Sequence, residues 1–140
     1  MNTITESYTK GPAVTSSSDW LALGARILLA AIFVLAGLSK ATDPVGTMGY
    51  VASVGLPFPE LALIGAVAVE VLGGLALIAG FKTRAVALLL AAFSIVTAAA
   101  FHNQLGDQTQ FVMFFKNVAM AGGFLQVAAF GPGRFSIDRR

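Results

Sequence analysis

The chain has 140 residues, 56% hydrophobic and 11% charged, with a net charge of +2, one histidine and no cysteine. Soluble globular domains carry about 25% charged residues, so a soluble bundle of this size would lack polar surface; the composition describes one integral membrane domain. No disulfide or thiol relay can come from this chain, one histidine cannot supply a two-histidine haem site within a subunit, and the small, dispersed charge excludes a nucleic-acid footprint.

Residues 1–19 are polar, with Ser16, Ser17 and Ser18 ahead of Asp19 and no basic cluster leading into a short apolar core. That is not the pattern of a cleavable signal peptide, and it predicts a disordered cytoplasmic tail. The first apolar run predicts a span over about residues 20–40, with Arg26 inside it. Asp43 followed by Pro44 matches an N-cap with proline at the first helical position, and Gly55 with Pro57 supplies a stop. A short interfacial helix over 44–54 follows, placed to lid the outer end of the bundle.

The second span is expected over 60–80, with Glu70 inside it. Gly80 ends it, and Thr83 is placed to cap the third span, 84–102, which carries no charge after Arg84 and closes on His102. The fourth span, 110–130, encloses Lys116 and stops at Gly131, Pro132 and Gly133; residues 134–140 form a basic cytoplasmic tail. The fold class is therefore all-α: an integral membrane four-helix bundle with a short interfacial helix between spans one and two.

Basic residues set the orientation. Lys10, Lys82, Arg84, Arg134, Arg139 and Arg140 fall at one end, and only Lys40 and His102 at the other, which predicts cytoplasmic termini. A charge within a span costs roughly 2.5–3.5 kcal/mol on insertion scales, so Arg26, Glu70 and Lys116 mark structural pairing or function. Helical spacing puts Arg26, Ala30, Phe33, Gly37 and Lys40 on one stripe, Ala66, Glu70 and Gly74 on a second, and Lys116, Ala119, Met120 and Gly123 on a third. Small residues beside Glu70 permit close helix approach, so it should face the interior.

Side chains lean toward their helix N terminus. Glu70 and Lys116, both on descending helices, therefore lean outward, which favours their pairing, with Arg26 as a second partner able to fork onto the carboxylate. The candidate ion-pair network is Arg26, Glu70, Lys116 and Lys40. The candidate proton or ligand site is Glu70, Lys116, His102 and Asn117. Against this stands a structural reading in which the charges lock helices together or snorkel to headgroups, His102 merely caps a helix end, Met113 and Met120 pack, and Trp20 and Tyr50 anchor at the interface.

The motifs resemble those of the DoxX-like small membrane proteins: Arg26 with G-L-S-K at 37–40, E-V-L-G-G at 70–74, and G-F-K-T-R at 80–84. F-H at 101–102, F-F-K-N at 114–117 and G-P-G-R-F-S-I-D at 131–138 continue the pattern. The resemblance covers nearly everything after residue 19. It implies a four-helix bacterial inner-membrane protein, in a family named for a membrane component of a quinone-linked sulfur-oxidising enzyme and linked with redox and oxidative-stress functions.

Three functions compete. The first is a small membrane subunit or partner of a quinone-linked oxidoreductase or oxidative-stress system, with quinone as the candidate cofactor and redox proteins as candidate partners. The second is a small transporter or channel, which four helices without inverted repeats or interrupted span pairs argue against. The third is a non-catalytic anchor or assembly factor. No metal or haem is expected from this chain alone. The bilayer is the expected environment, nucleic acid is not a partner, and an oligomer is compatible with the sequence.

Overall fold

In the computed structural model, which describes residues 16–138, five helices form an all-α bundle with no strand among the described residues. Helix α1 covers Ser17–Thr42, α2 Pro44–Ser53, α3 Pro59–Ala79, α4 Thr83–Phe101 and α5 Gln108–Phe130. All but α2 are long and apolar enough to cross a membrane. Their outward residues, among them Leu28, Leu35, Ile64, Leu72, Leu89 and Leu125, are exposed, as a lipid-facing surface requires. The chain is an integral membrane four-helix bundle with α2 between its first two spans. Both ends of the described chain lie at one end of the bundle, called here the terminal end; α2 and the 102–107 loop lie at the distal end.

The first helix begins at Ser17, inside the segment the sequence assigned to a tail, because Asp19 closes its first turn: the Ser16 N–H donates to the Asp19 carboxylate at 3.0 Å. The rest of that segment, residues 1–15, lies outside the described residues. At the start of α2, Asp43 accepts from the Gly46 N–H at 3.0 Å and Pro44 occupies the first turn. The buried residues of α1 are Arg26, Ala30, Phe33 and Gly37, the stripe that the four-residue spacing marks in the sequence.

Helices α1 and α3 approach through glycine. A Cβ at Gly37 would stand 2.6 Å from Val71 Cγ2, and one at Gly74 would stand 2.6 Å from Val34 Cγ2. Phe33 meets Phe124 of α5 edge-on at 5.1 Å between ring centroids. Leu77, Ala87, Leu90, Ala91, Ala121, Phe124 and Val127 complete the core with Ala30 and Phe33. The inward face of α5 therefore differs from the stripe expected of it: Ala121, Phe124 and Val127 are buried, while Lys116 and Ala119 are exposed. Burying an aromatic ring outweighs burying an ammonium, so α5 turns Phe124 rather than Lys116 to the core.

The terminal end is closed by the chain's last described residues. Gly131 stops α5 at φ +85°, and the segment after it folds back on the α3–α4 hairpin instead of trailing as a tail. The N–H groups of Ile137 and Asp138 donate to the Ala79 and Gly80 carbonyls at 3.0 and 2.9 Å. The Asp138 carboxylate accepts from the N–H groups of Lys82 and Thr83 at 2.8 and 2.7 Å, capping α4. The expected cap, Thr83, is instead the first residue of α4, with its Oγ1 buried and unpartnered. A carboxylate arriving from across the chain has displaced the local hydroxyl from that role. Residues 139–140 lie outside the described residues.

Candidate functional site

Helix α3 departs from α-helical winding at Ala68–Leu72, where one π-helical turn interrupts it. Glu70 sits in that turn and is buried against Gly37 of α1, whose added Cβ would lie 3.0 Å from the Glu70 Cβ. Such single-turn bulges often occur where a helix presents a functional side chain. Here the turn presents the carboxylate to Lys40, whose Nζ donates to Glu70 Oε1 and Oε2 at 3.0 and 2.9 Å and to the Ala36 carbonyl at 3.5 Å. All three ammonium donors thus have acceptors.

The partner of Glu70 is Lys40, not Lys116 or Arg26, and that corrects the expected pairing. Arg26 is fully buried at the terminal end, where its guanidinium donates to the Leu77 and Ile78 carbonyls at 3.1 and 3.0 Å and to the Phe135 carbonyl. Leu77 and Ile78 belong to the last turn of α3, whose carbonyls carry the negative end of the helix dipole; that of Leu77 also accepts from the capping Gly80 N–H at 3.2 Å. Arg26 therefore neutralises a helix end and holds the returning C-terminal segment. Lys116 remains exposed and takes no part in the ion pair.

Between the α1–α3 and α4–α5 pairs, toward the distal end, lies a cavity of about 410 Å³. Its walls carry Phe33, Phe93, Phe101 and Tyr50, with Ala66, Met113 and Met120 between them. All four residues of the candidate site, Glu70, His102, Lys116 and Asn117, contribute to the walls, and so does Lys40; Arg26 does not. Asn117 Nδ2 donates to the Met113 carbonyl at 2.9 Å, which leaves its Oδ1 and second N–H open, and His102 Nδ1 lies 3.0 Å from Gln110 Oε1. Thr97 is turned onto its own helix, donating to the Phe93 carbonyl at 2.9 Å.

Helix α2 covers the distal side of this space with Thr47, Tyr50 and Val51. The Tyr50 ring stacks on Phe101 at 5.5 Å, and its hydroxyl donates to the Phe101 carbonyl at 3.3 Å. The sequence suggests an interfacial anchor at Tyr50; its place against Phe101 at the end of α4 shows only in three dimensions. Chemically, the arrangement offers apolar ring-bearing walls, one carboxylate–ammonium pair and a few amide and imidazole groups.

These positions can be set against known proteins. The DoxX family model matches residues 21–103, which span α1 to the end of α4. The chain belongs to the DoxX family. This DoxX protein is 43% identical over 117 residues to the inner membrane protein YqjF of Escherichia coli strain K12, covering 84% of the chain and 88% of the relative. It is 41% identical over 125 residues to the inner membrane protein YphA of the same organism, covering 86% and 89%. No solved structure matches this DoxX chain.

Proposed function

We propose that this DoxX-family protein is a small membrane subunit or partner of a quinone-linked oxidoreductase or oxidative-stress system of the bacterial inner membrane, with both termini in the cytoplasm. The observation that carries the reading is the cavity of about 410 Å³, in which aromatic walls meet the Lys40–Glu70 pair. Ligand pockets of this kind combine apolar surface with a small number of placed polar groups. A quinone bound there would supply two-electron redox chemistry and take up protons on reduction.

The chain's own residues fit such a ring. Phe33, Phe93, Phe101 and Tyr50 give it apolar faces, and Asn117 brings an N–H donor to a carbonyl. Glu70 holds or accepts a proton beside Lys40, and His102 can exchange protons at the distal end. The inner-membrane location follows the names of the two E. coli relatives. Orientation follows the basic residues: Lys82, Arg84 and Arg134 lie at the terminal end, while Lys40 at the other is tied into the bundle by Glu70.

The test is purification of the native protein in mild detergent with mass spectrometry of copurifying quinones, lipids and proteins, alongside redox phenotypes of Glu70→Gln. Quinone or a redox partner should copurify, and the variant should impair the coupled redox activity. Recovery of neither, with a wild-type phenotype for the variant, would favour the non-catalytic anchor. For orientation, cysteines placed at Ser53 and Gln108 should label from the periplasm and one at Ser17 from the cytoplasm.

A further inference from the structure

The cavity's charges do not cancel. Among the described residues Glu70 is the only carboxylate in its walls, and both its oxygens are held by Lys40. Lys116 also lines the cavity and so has no anion within it. It lies eight residues into α5, about 12 Å along the helix axis, at a depth where an ammonium without a counter-charge is costly. Beside it, Asn117 keeps one amide N–H after donating to Met113. Lys116 is exposed while lining the cavity, and with the remaining Asn117 N–H it makes the polar capacity of the α5 wall mainly donor and positively charged, beside one amide acceptor, Asn117 Oδ1.

We propose that the cavity takes an amphiphile with an apolar body and an oxyanion head, a single-chain organic carboxylate, with Lys116 as its counter-charge. The volume, about 410 Å³, is at the small end of ligand pockets and suits one chain. The inference rests on the reading of the cavity as a ligand site, but not on that ligand's being a quinone: a neutral ring leaves Lys116 without a counter-charge. The competing account is a lysine that reaches the headgroups past the cavity and has no influence on what binds inside it.

The experiment compares decanoate, decanol and a short-chain ubiquinone as probes of the full-length protein in a neutral detergent at pH 8, with affinities read by titration calorimetry and thermal stability measured in parallel. The wild type should bind decanoate roughly tenfold or more tightly than decanol, as expected for a hydrogen bond to a charged group. Lys116→Gln should erase that preference, Lys116→Arg should retain it, and Ala66→Phe, which fills the cavity, should weaken both ligands. Equal binding of acid and alcohol, or a preference that survives Lys116→Gln, would overturn the proposal while ubiquinone binding left the cavity reading standing. Failure of all three probes to bind would remove the cavity reading itself. In nanodiscs, displacement of decanoate by phosphatidylglycerol but not by phosphatidylcholine would assign the oxyanion to a lipid headgroup and overturn the free-acid form.

Discussion

Lys40 and Glu70, thirty residues apart, lean toward each other from antiparallel helices: the ammonium at the distal end of α1 reaches both carboxylate oxygens at 2.9 and 3.0 Å. The geometry follows from side-chain direction. Each residue leans toward the N terminus of its own helix, so Lys40 bends into the bundle while Glu70 rises to meet it. Glu70 is the more deeply buried partner, with its side chain 8% exposed against 31% for Lys40.

Lys40→Met should therefore destabilise the protein by about 3 kcal/mol, because it leaves the more buried carboxylate uncompensated. Adding Glu70→Leu should recover most of the loss. Unfolding titrations of the two single variants and the double variant measure the coupling, and additive losses would mean that the pair contributes no coupling energy.

Removal of residues 134–140 should lower stability by about 2–4 kcal/mol, through loss of the Asp138 cap and of the Phe135 acceptor for Arg26. Trp20, the only tryptophan, packs on Phe135 with ring centroids 4.4 Å apart. Its emission should shift to the red on truncation, and an unchanged spectrum would show that the segment does not dock.

Asp138→Ala should cost about 1 kcal/mol, as loss of a helix cap does. Thr83→Val should be neutral or stabilising, since it replaces a buried hydroxyl that has no partner with a methyl of similar shape. Thermal unfolding of the two variants side by side separates the cap that works from the one the local sequence offers.

Glycine replacements should divide by location. Gly74→Ala should cost about 1–3 kcal/mol, because its Cβ would press on Val34 and the α1 backbone. Gly24→Ala meets nothing within 4 Å and should be neutral or stabilising by up to about 1 kcal/mol through helix propensity. Equal effects would argue against close packing between α1 and α3.

What could be read from the sequence was whatever repeats with helical period. The Arg26–Ala30–Phe33–Gly37 face, the Asp43–Pro44 start of α2 and the stops at Gly80 and Gly131 are local, and one helix or turn suffices to express them. Lys40 is in the candidate network, but the sequence favours Lys116 for Glu70 because Lys40 falls at the outer edge of its span, and only the lean of its side chain along α1 brings it back to the carboxylate. On α5 the charge points to the wrong face: Met113, Asn117, Met120 and Phe124 form the inward row, one residue round from Lys116. The closure of the terminal end left no periodic trace, since irregular backbone recognises a hairpin and a guanidinium far away in the chain. The cavity's four candidate residues could be listed, but not the ring of Tyr50 above them.

The π-helical turn at Ala68–Leu72 makes α3 a helix with two phases. Its first half answers to α2 and the cavity through Leu63 and Ala66; its second half answers to α1, α4 and Arg26 through Gly74, Leu77 and Ile78. A π turn takes up one residue more than an α turn without changing the direction of the helix that follows, so it absorbs a one-residue step in the sequence pattern. Deleting one residue from the turn should therefore leave Gly74 against α1 and the last carbonyls on Arg26, and its cost should fall on the Lys40–Glu70 pair that the turn presents. Deleting one residue from the ordinary winding after the turn should instead rotate everything beyond it by about 100° and take the last carbonyls off Arg26.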